Sequence, residues 1–169
     1  MEHRSRSWVR RRLLSLAWLE LFNIPLQALV WFGVLGLPLT AANMAGFTLF
    51  AALLAVGAGY WSAKLRQLST PGASLPGAEV FAVARIAFPV LLTIGLSFIV
   101  GTVVAVPGAG SWPGLGFGLF AVLEYVNYFH VQLMYDTAED LRYLRSQGLR
   151  RAHLARDLTN QRQANRPAQ

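Results

Sequence analysis

The chain has 169 residues, of which 54% are hydrophobic and only 14% are charged, and its formal net charge is +7. Soluble domains carry about 25% charged residues, so a chain of this composition needs lipid as the solvent for much of its surface. It contains no cysteine, which excludes disulfides, thiolate metal sites and cysteine nucleophiles. The basic residues lie in the termini and one linker rather than on one folded face, which argues against nucleic-acid binding.

The positions of the cations predict how the chain crosses a membrane. Of the 15 Lys and Arg residues, all except Arg85 lie outside four long apolar stretches. Five precede Leu13, two lie between the second and third stretches, and seven follow Asp136. The other two connections, 36–40 and 105–113, hold none. Because cytoplasmic loops are enriched in Lys and Arg, this pattern predicts an up-down bundle of four transmembrane helices with both termini in the cytoplasm.

The apolar stretches have the length of about 20 residues that a spanning helix needs. The predicted transmembrane domain, 13–136, contains helices over residues 13–35, 40–60, 80–104 and 115–136. A basic cytoplasmic segment (1–12) precedes it, and an amphipathic cytoplasmic helix (137–159) and a disordered tail (160–169) follow. The first helix lacks the cleavage site of a signal peptide, so we expect it to be retained. The excess of Arg over Lys is typical of a GC-rich bacterial genome, which suggests a bacterial inner membrane.

Polar residues inside the predicted helices form a candidate intramembrane polar cluster, which comprises Glu20, Asn23, Arg85, Glu124, Asn127 and His130. Each ionisable group costs roughly 2.5 to 3.5 kcal/mol on insertion scales, so such groups are usually paired or functional. A helix rises ~1.5 Å per residue, so Glu20, Arg85 and His130 lie roughly 8 to 10 Å from the cytoplasmic helix ends. The other three residues, Asn23, Glu124 and Asn127, lie roughly 14 to 18 Å from those ends. We expect Glu20 and Arg85 to form a buried ion pair that fixes helix register. The alternative is that Arg85 extends alone to the headgroups.

Two prolines fall beside this cluster. Pro25 leaves the carbonyl of Leu21 without its helical donor, and Pro89 does the same to the carbonyl of Arg85. Freed carbonyls beside carboxylates are a candidate site for a cation. A metal site in helix four is a weaker alternative, because positions 124 and 130 lie about 120° apart around a helix, whereas carboxylate-bridged sites use a Glu and a His three residues apart. We therefore expect no cofactor.

The sequence contains no nucleophile elbow, phosphate loop or HExxH motif. We therefore expect a non-enzymatic membrane protein, an interaction or accessory subunit with a buried polar network. A cation- or proton-coupled transporter with Glu20 as carrier is the first alternative, and an enzyme acting on lipid with Glu124 and His130 as acid and base is the second. The expected partners are the bilayer, a protein or second copy of the chain, and anionic headgroups at the basic residues Arg10, Arg11, Arg12, Arg150 and Arg151.

Overall fold

The computed structural model describes residues 6–70, 73–134, 142, 144–146 and 148–164. The helices with described bounds are α1 (Arg6–Ala28), α2 (Ala41–Ser69), α3 (Ala78–Ala105), α4 (Trp112–Phe129) and α5 (His153–Ala164), and a π-helical segment, Leu29–Val34, continues α1. Residues 142 and 144–146 are also helical. Among the described residues, the only pairing of extended backbone is a single antiparallel bridge between Val131 and Arg151. The predicted all-α class is therefore confirmed.

Three helical segments are long and apolar enough to cross a membrane, namely Arg6–Val34, Ala41–Ser69 and Ala78–Ala105. Helix α4 falls outside this set although its 18 residues are long enough, because polar residues that include Glu124 and Asn127 lower its mean hydropathy. The chain is thus a helical, multi-pass membrane protein with three clear spanning segments.

The helix ends differ from the predicted ones at several places. Helix α1 begins at Arg6 rather than at residue 13, and α2 continues to Ser69 rather than ending at 60. Arg, Leu, Lys and Gln are good helix formers, so a helix continues beyond the apolar stretch that hydropathy detects. The cap of α2 agrees with the sequence, because the Thr40 hydroxyl accepts the N–H of Asn43 at 3.3 Å.

Helix α4 ends earlier than predicted, at Phe129 instead of residue 136. The chain beyond it pairs with the segment before α5: the N–H of Gln132 donates to the carbonyl of Arg150 at 2.8 Å, and the N–H of Ala152 donates to that of His130 at 3.0 Å. These long-range bonds satisfy backbone groups that a continuing helix would have satisfied locally, so the helix stops there.

The predicted cytoplasmic helix over 137–159 is interrupted. Gly148 has a left-handed φ of 78°, and residues 148–152 are not helical. Helix α5 then continues to Ala164, into the stretch predicted to be a disordered tail. Residues 137–141 and 165–169 of these two predicted segments lie outside the described residues.

Helix α2 is the centre of the bundle. It packs against α1, α3 and α4 and contributes ten buried residues, whereas Ala17 is the only buried residue of α1. Helix α4 inserts Phe117 among four aromatic rings, with centroid distances of 5.3 to 6.3 Å to Trp31, Phe32, Phe47 and Phe50. Such offset and edge-on contacts stabilise the core beyond the area they bury.

One fully buried side chain closes one end of the bundle. The Asn43 amide nitrogen donates to the carbonyls of Pro38 and Ala109, each at 2.9 Å, and its oxygen accepts the N–H of Gly114 at 2.8 Å. Asn43 thereby ties the turn before α2 to the loop before α4. We call this end of the bundle, formed by residues 35–40 and 106–111, the uncharged end, because neither segment contains a charged residue.

Helices α2 and α4 approach each other most closely beside this end. A methyl group added to Gly46 would overlap the carbonyl oxygen of Gly114, and one added to Gly114 would overlap the carbonyl of Ala42. Only hydrogen atoms fit between these two backbones. Gly114 and Gly118 form a GxxxG pattern, and Gly114 within it serves packing inside one chain.

The close approach predicts a large effect for Gly46→Ala. We expect it to lower the free energy of unfolding by roughly 2 kcal/mol, since the methyl meets backbone that cannot move aside. Gly59→Ala is the matched control on the same helix, because its methyl would lie 3.9 Å from the nearest atom, on the Phe81 ring. The control should be neutral or stabilising by up to about 1 kcal/mol. Thermal unfolding of both variants in detergent measures the difference, and equal midpoints would contradict the packing described.

Candidate functional site

A cavity of about 450 Å³ lies at the end of the bundle opposite the uncharged end. It is bounded by α1, α2, the chain at the end of α4, and the beginning of α5. Basic side chains from three separate parts of the chain line it, and we therefore call this the basic end, defined by Arg12, Lys64 and Arg150. The volume falls within the roughly 300 to 1,000 Å³ typical of small-molecule sites.

Glu20 lines this cavity and joins α1 to α4. Its carboxylate accepts a hydrogen bond from the hydroxyl of Tyr128, a buried residue whose ring also lines the cavity. The ring fits over Gly57 of α2, where an added methyl group would overlap the hydroxyl. A glycine on the central helix thus makes room for the contact between the two outer helices.

Glu124 and Asn127 lie on the same side of α4 as Tyr128. The Asn127 amide nitrogen is 3.5 Å from the Glu124 carboxylate, and its oxygen accepts the N–H of Leu133 at 2.8 Å. Glu124 lies near the Tyr128 hydroxyl as well, but the hydrogen bond from that hydroxyl goes to Glu20. A phenol carries a single proton and can donate to only one carboxylate at a time.

Arg85 belongs to a separate group on the other side of α4. The Tyr125 hydroxyl donates to the backbone carbonyl of Arg85 at 3.0 Å, and this is the carbonyl that Pro89 leaves without its helical donor. His130 Nε2 lies 3.3 Å from the same hydroxyl. Tyr125 of α4 therefore donates a hydrogen bond to the Arg85 carbonyl, which the sequence predicts to be free. This carbonyl is thus not available to coordinate a cation.

The expected cluster at one depth is thus divided into two groups. Within the described residues, Glu20 and Arg85 form no ion pair, because α1 packs on α2 while α3 packs on α2 and α4. His130 is exposed and follows the end of α4 rather than lying inside it, and no hydrogen bond joins it to Glu124 in the part of the chain described. Glu124 and His130, the acid and base of the lipid-enzyme alternative, therefore have different hydrogen-bond neighbours, Asn127 and Tyr125 respectively.

Asn23 starts a polar ladder along α1. Its amide oxygen accepts from the Gln27 amide at 3.2 Å, and the Gln27 oxygen accepts the indole N–H of Trp31 at 2.7 Å. These residues lie four apart and so follow one stripe of the helix. Asn23 and Gln27 are half-buried, and Trp31 remains 36% exposed.

Contacts that hold α5 on the bundle were not predicted from the sequence. Asp157 accepts a hydrogen bond from the buried Tyr60 hydroxyl at 2.7 Å and forms an ion pair with Lys64 at 2.9 Å. Leu154 and Leu158 are buried on the same side of α5. The amphipathic spacing of the two leucines was visible in the sequence, but nothing local indicated which residues of α2 would receive them.

The basic residues predicted to contact lipid separate into two sets. Arg12 and Arg150 line the cavity. Arg11 and Arg151 are exposed outside it, and the Arg151 guanidinium donates to the Thr159 hydroxyl at 2.9 Å. Arg10 lines a second, smaller cavity of about 340 Å³ beside the end of α2.

Among the described residues, no group of three His, Asp or Glu side chains converges to hold a metal ion. The cavity presents one carboxylate, Glu20, and one imidazole, His153. Its chemistry is that of hydrogen-bonding and basic groups next to apolar side chains.

No known protein-family model, no curated protein and no solved structure matches this chain. Its function must therefore be argued from the site itself.

His153 makes the attachment of α5 sensitive to acid. Burial, followed by the charges of Arg156 and Arg150, lowers the pKa of His153 from 6.5 to about 4. Asp157 acts in the opposite direction and Lys64 in the same direction. A detached α5 would bind a proton more readily than the docked one, so acid favours detachment. Docking should be complete above pH 6.5 and weaken progressively toward pH 4.

We expect this loss to appear as a longer distance between spin labels on α2 and α5. The absence of native cysteine permits a clean double label, for instance Ser62→Cys with Asn160→Cys. His153→Gln keeps a neutral polar side chain and should remove most of the pH dependence between 6.5 and 4. If α5 of the His153→Gln protein detached with the same pH midpoint as the unchanged protein, another titratable group would be responsible for the pH dependence.

Proposed function

We propose that the protein is a non-enzymatic membrane protein with four spans and both termini in the cytoplasm, and that it acts as an accessory subunit of a membrane complex. The chemical difference between its two ends supports this orientation. The basic end gathers side chains from the N-terminal segment, the second helix and the C-terminal segment, whereas the turns at the other end hold no charge. Positive residues favour the cytoplasmic side.

Helix α4 is the proposed fourth span. Its 18 residues reach about 27 Å, close to the ~30 Å hydrocarbon core. Its polar side chains have internal partners: Glu124 lies beside Asn127 and Tyr128, and the Tyr125 hydroxyl bonds to α3. Pairing of this kind reduces the cost of placing polar residues in lipid.

The accessory role rests on one observation, the polar ladder of α1. This helix is the least buried of the long helices, and its Asn23–Gln27–Trp31 stripe is half-exposed at membrane depth. Polar side chains in spanning helices mediate contacts between helices. A transmembrane helix of a partner would give these amides further hydrogen bonds that lipid cannot supply.

Photocrosslinking in cell membranes tests the accessory role. A benzophenone amino acid at Gln27 should yield a discrete protein adduct. The matched control is Leu29, which is 61% exposed and lies at nearly the same depth on the opposite side of α1. It should give lipid adducts alone. Equal products at both positions would argue against a partner on the ladder.

Single-cysteine labelling tests the four-span orientation, and the cysteine-free sequence gives it no background. Leu39→Cys and Ala109→Cys, at the uncharged end, should react with an impermeant maleimide in intact cells. Ser74→Cys and Leu149→Cys should react only after permeabilisation. Labelling of Ala109→Cys and Ser74→Cys from the same side would remove α3 from the set of spans. Labelling of Ala109→Cys and Leu149→Cys from the same side would remove α4.

Proton-coupled transport is the second candidate, because Glu20 lines a cavity at the basic end. Two carboxylates at one phenol offer a place to hold and pass a proton. The bonds of Asn43 close the opposite end, so transport would require them to open. In liposomes, Glu20→Gln should abolish any proton-coupled flux, while Glu79→Gln, at the start of α3, should not. Unchanged flux in the Glu20→Gln protein would remove this candidate.

A further inference from the structure

The cavity at the basic end has two chemically different parts. Arg12, Lys64 and Arg150 come from three chain segments and lie together on its wall. Glu20 is eight residues deeper than Arg12 on α1, about 12 Å along the helix. Among the described lining residues, the three cations and the Glu20 carboxylate are therefore separated along the membrane normal.

The cations are held in place by neighbouring groups. Lys64 pairs with Asp157 at 2.9 Å and bonds to the Gln67 amide oxygen at 3.0 Å. The Arg12 guanidinium lies over the Trp8 ring, 5.3 Å from its centroid. Cations fixed by such contacts lose less side-chain entropy when a ligand binds.

His153 adds no positive charge at neutral pH, because burial and the neighbouring arginines lower its pKa to about 4. It lines the cavity beside Arg150 and provides a ring nitrogen for hydrogen bonding. The Gln132 side chain also lines the wall, and its amide oxygen, buried without a partner among the described groups, can accept a hydrogen bond from a ligand hydroxyl but not from an ionised phosphate. This part of the cavity is suited to a compact polar anion.

The rest of the lining is apolar. Leu13 and Leu16 of α1, Leu68 of α2 and Met134 after α4 contribute to it. A small inorganic anion would leave these apolar side chains uncovered. A ligand with an anionic head and an apolar portion would cover both parts.

We propose that this cavity binds a phosphate-bearing anionic group, supplied by the headgroup of a phospholipid in the adjoining leaflet. Arg12 and Arg150 are the guanidinium ligands and Lys64 the ammonium ligand, since guanidinium groups match the geometry of phosphate oxygens. The glycerol and first acyl carbons lie against the leucines, and the chains extend into the bilayer. The site is independent of the α1 ladder, so this inference goes beyond the proposed accessory role.

The sequence offers matched controls that separate a cavity site from general attraction of basic termini to anionic lipid. Arg11 and Arg12 are neighbours, as are Arg150 and Arg151, and only Arg12 and Arg150 line the cavity. Each Arg→Gln change removes the same charge from the same region. A nonspecific surface effect weakens anionic-lipid binding equally in both members of a pair.

Native mass spectrometry of the full-length protein in detergent measures this binding. Phosphatidylglycerol should form a one-to-one complex that exceeds that of phosphatidylcholine. Arg12→Gln and Arg150→Gln should each weaken it by about tenfold more than Arg11→Gln and Arg151→Gln, as expected for a lost charge-assisted bond. Equal losses within each pair, or equal binding of phosphatidylcholine, would overturn the proposal.

A second arm distinguishes a lipid from a soluble phosphate. Glycerol 3-phosphate and inorganic phosphate are titrated against the protein while its thermal midpoint is followed. If the lipid is the ligand, neither should raise the midpoint at concentrations where phosphatidylglycerol does. A shift with glycerol 3-phosphate that Arg12→Gln abolishes and Arg11→Gln retains would place a free phosphate ester in the same site and overturn the assignment to lipid. These results do not depend on the crosslinking at Gln27, so either proposal can fail alone.

Discussion

The requirement that polar groups find partners within the chain organises this structure. Where a bundle faces lipid, an unsatisfied donor or acceptor costs several kcal/mol. Asn43 meets the requirement with three bonds to backbone at the uncharged end. Tyr125 meets it on α3 by donating to the carbonyl that Pro89 frees. Each of these contacts joins two helices, so satisfying the polar groups also sets which helices are neighbours.

The central position of α2 follows from small residues as much as from polar ones. Gly46 brings it against the backbone of α4, and Gly57 makes space for the Tyr128 ring. Because α2 separates α1 from α3, Glu20 of α1 accepts from Tyr128, whereas Tyr125 donates to the backbone carbonyl of Arg85 on α3. The polar cluster is consequently three local groups, around Tyr128, around Tyr125 and along the α1 ladder, and the group that includes Glu20 borders a cavity.

The two ends of the bundle have different physical characters. At one end, buried Asn43 and Ser111 join short turns, and the Ser111 hydroxyl donates to the Val106 carbonyl at 2.8 Å. At the other, Asp157 holds α5 against α2 beside an open cavity with basic walls. The larger described cavity therefore lies at the basic end, and α5 forms part of its wall.

The sequence by itself determined the all-α class, the apolar segments, the Thr40 cap and the carbonyl that Pro89 would free. These depend on local properties, namely hydropathy, capping chemistry and the missing N–H of proline. It also placed Glu20 and Asn127 in a polar cluster, because periodicity shows which residues share a face of a helix.

Only the tertiary structure decided which faces meet. Periodicity assigns Glu20 to a stripe but cannot say whether that stripe faces Arg85 or Tyr128, since the choice depends on how α1 and α3 are arranged around α2. The sequence likewise could not predict that α4 ends at Phe129, because the helix ends where the following backbone pairs with residues 150–152. The sequence also could not predict that Arg12 lines the cavity while Arg11 does not. The two residues are chemically identical neighbours that differ only in the direction in which each points from the helix.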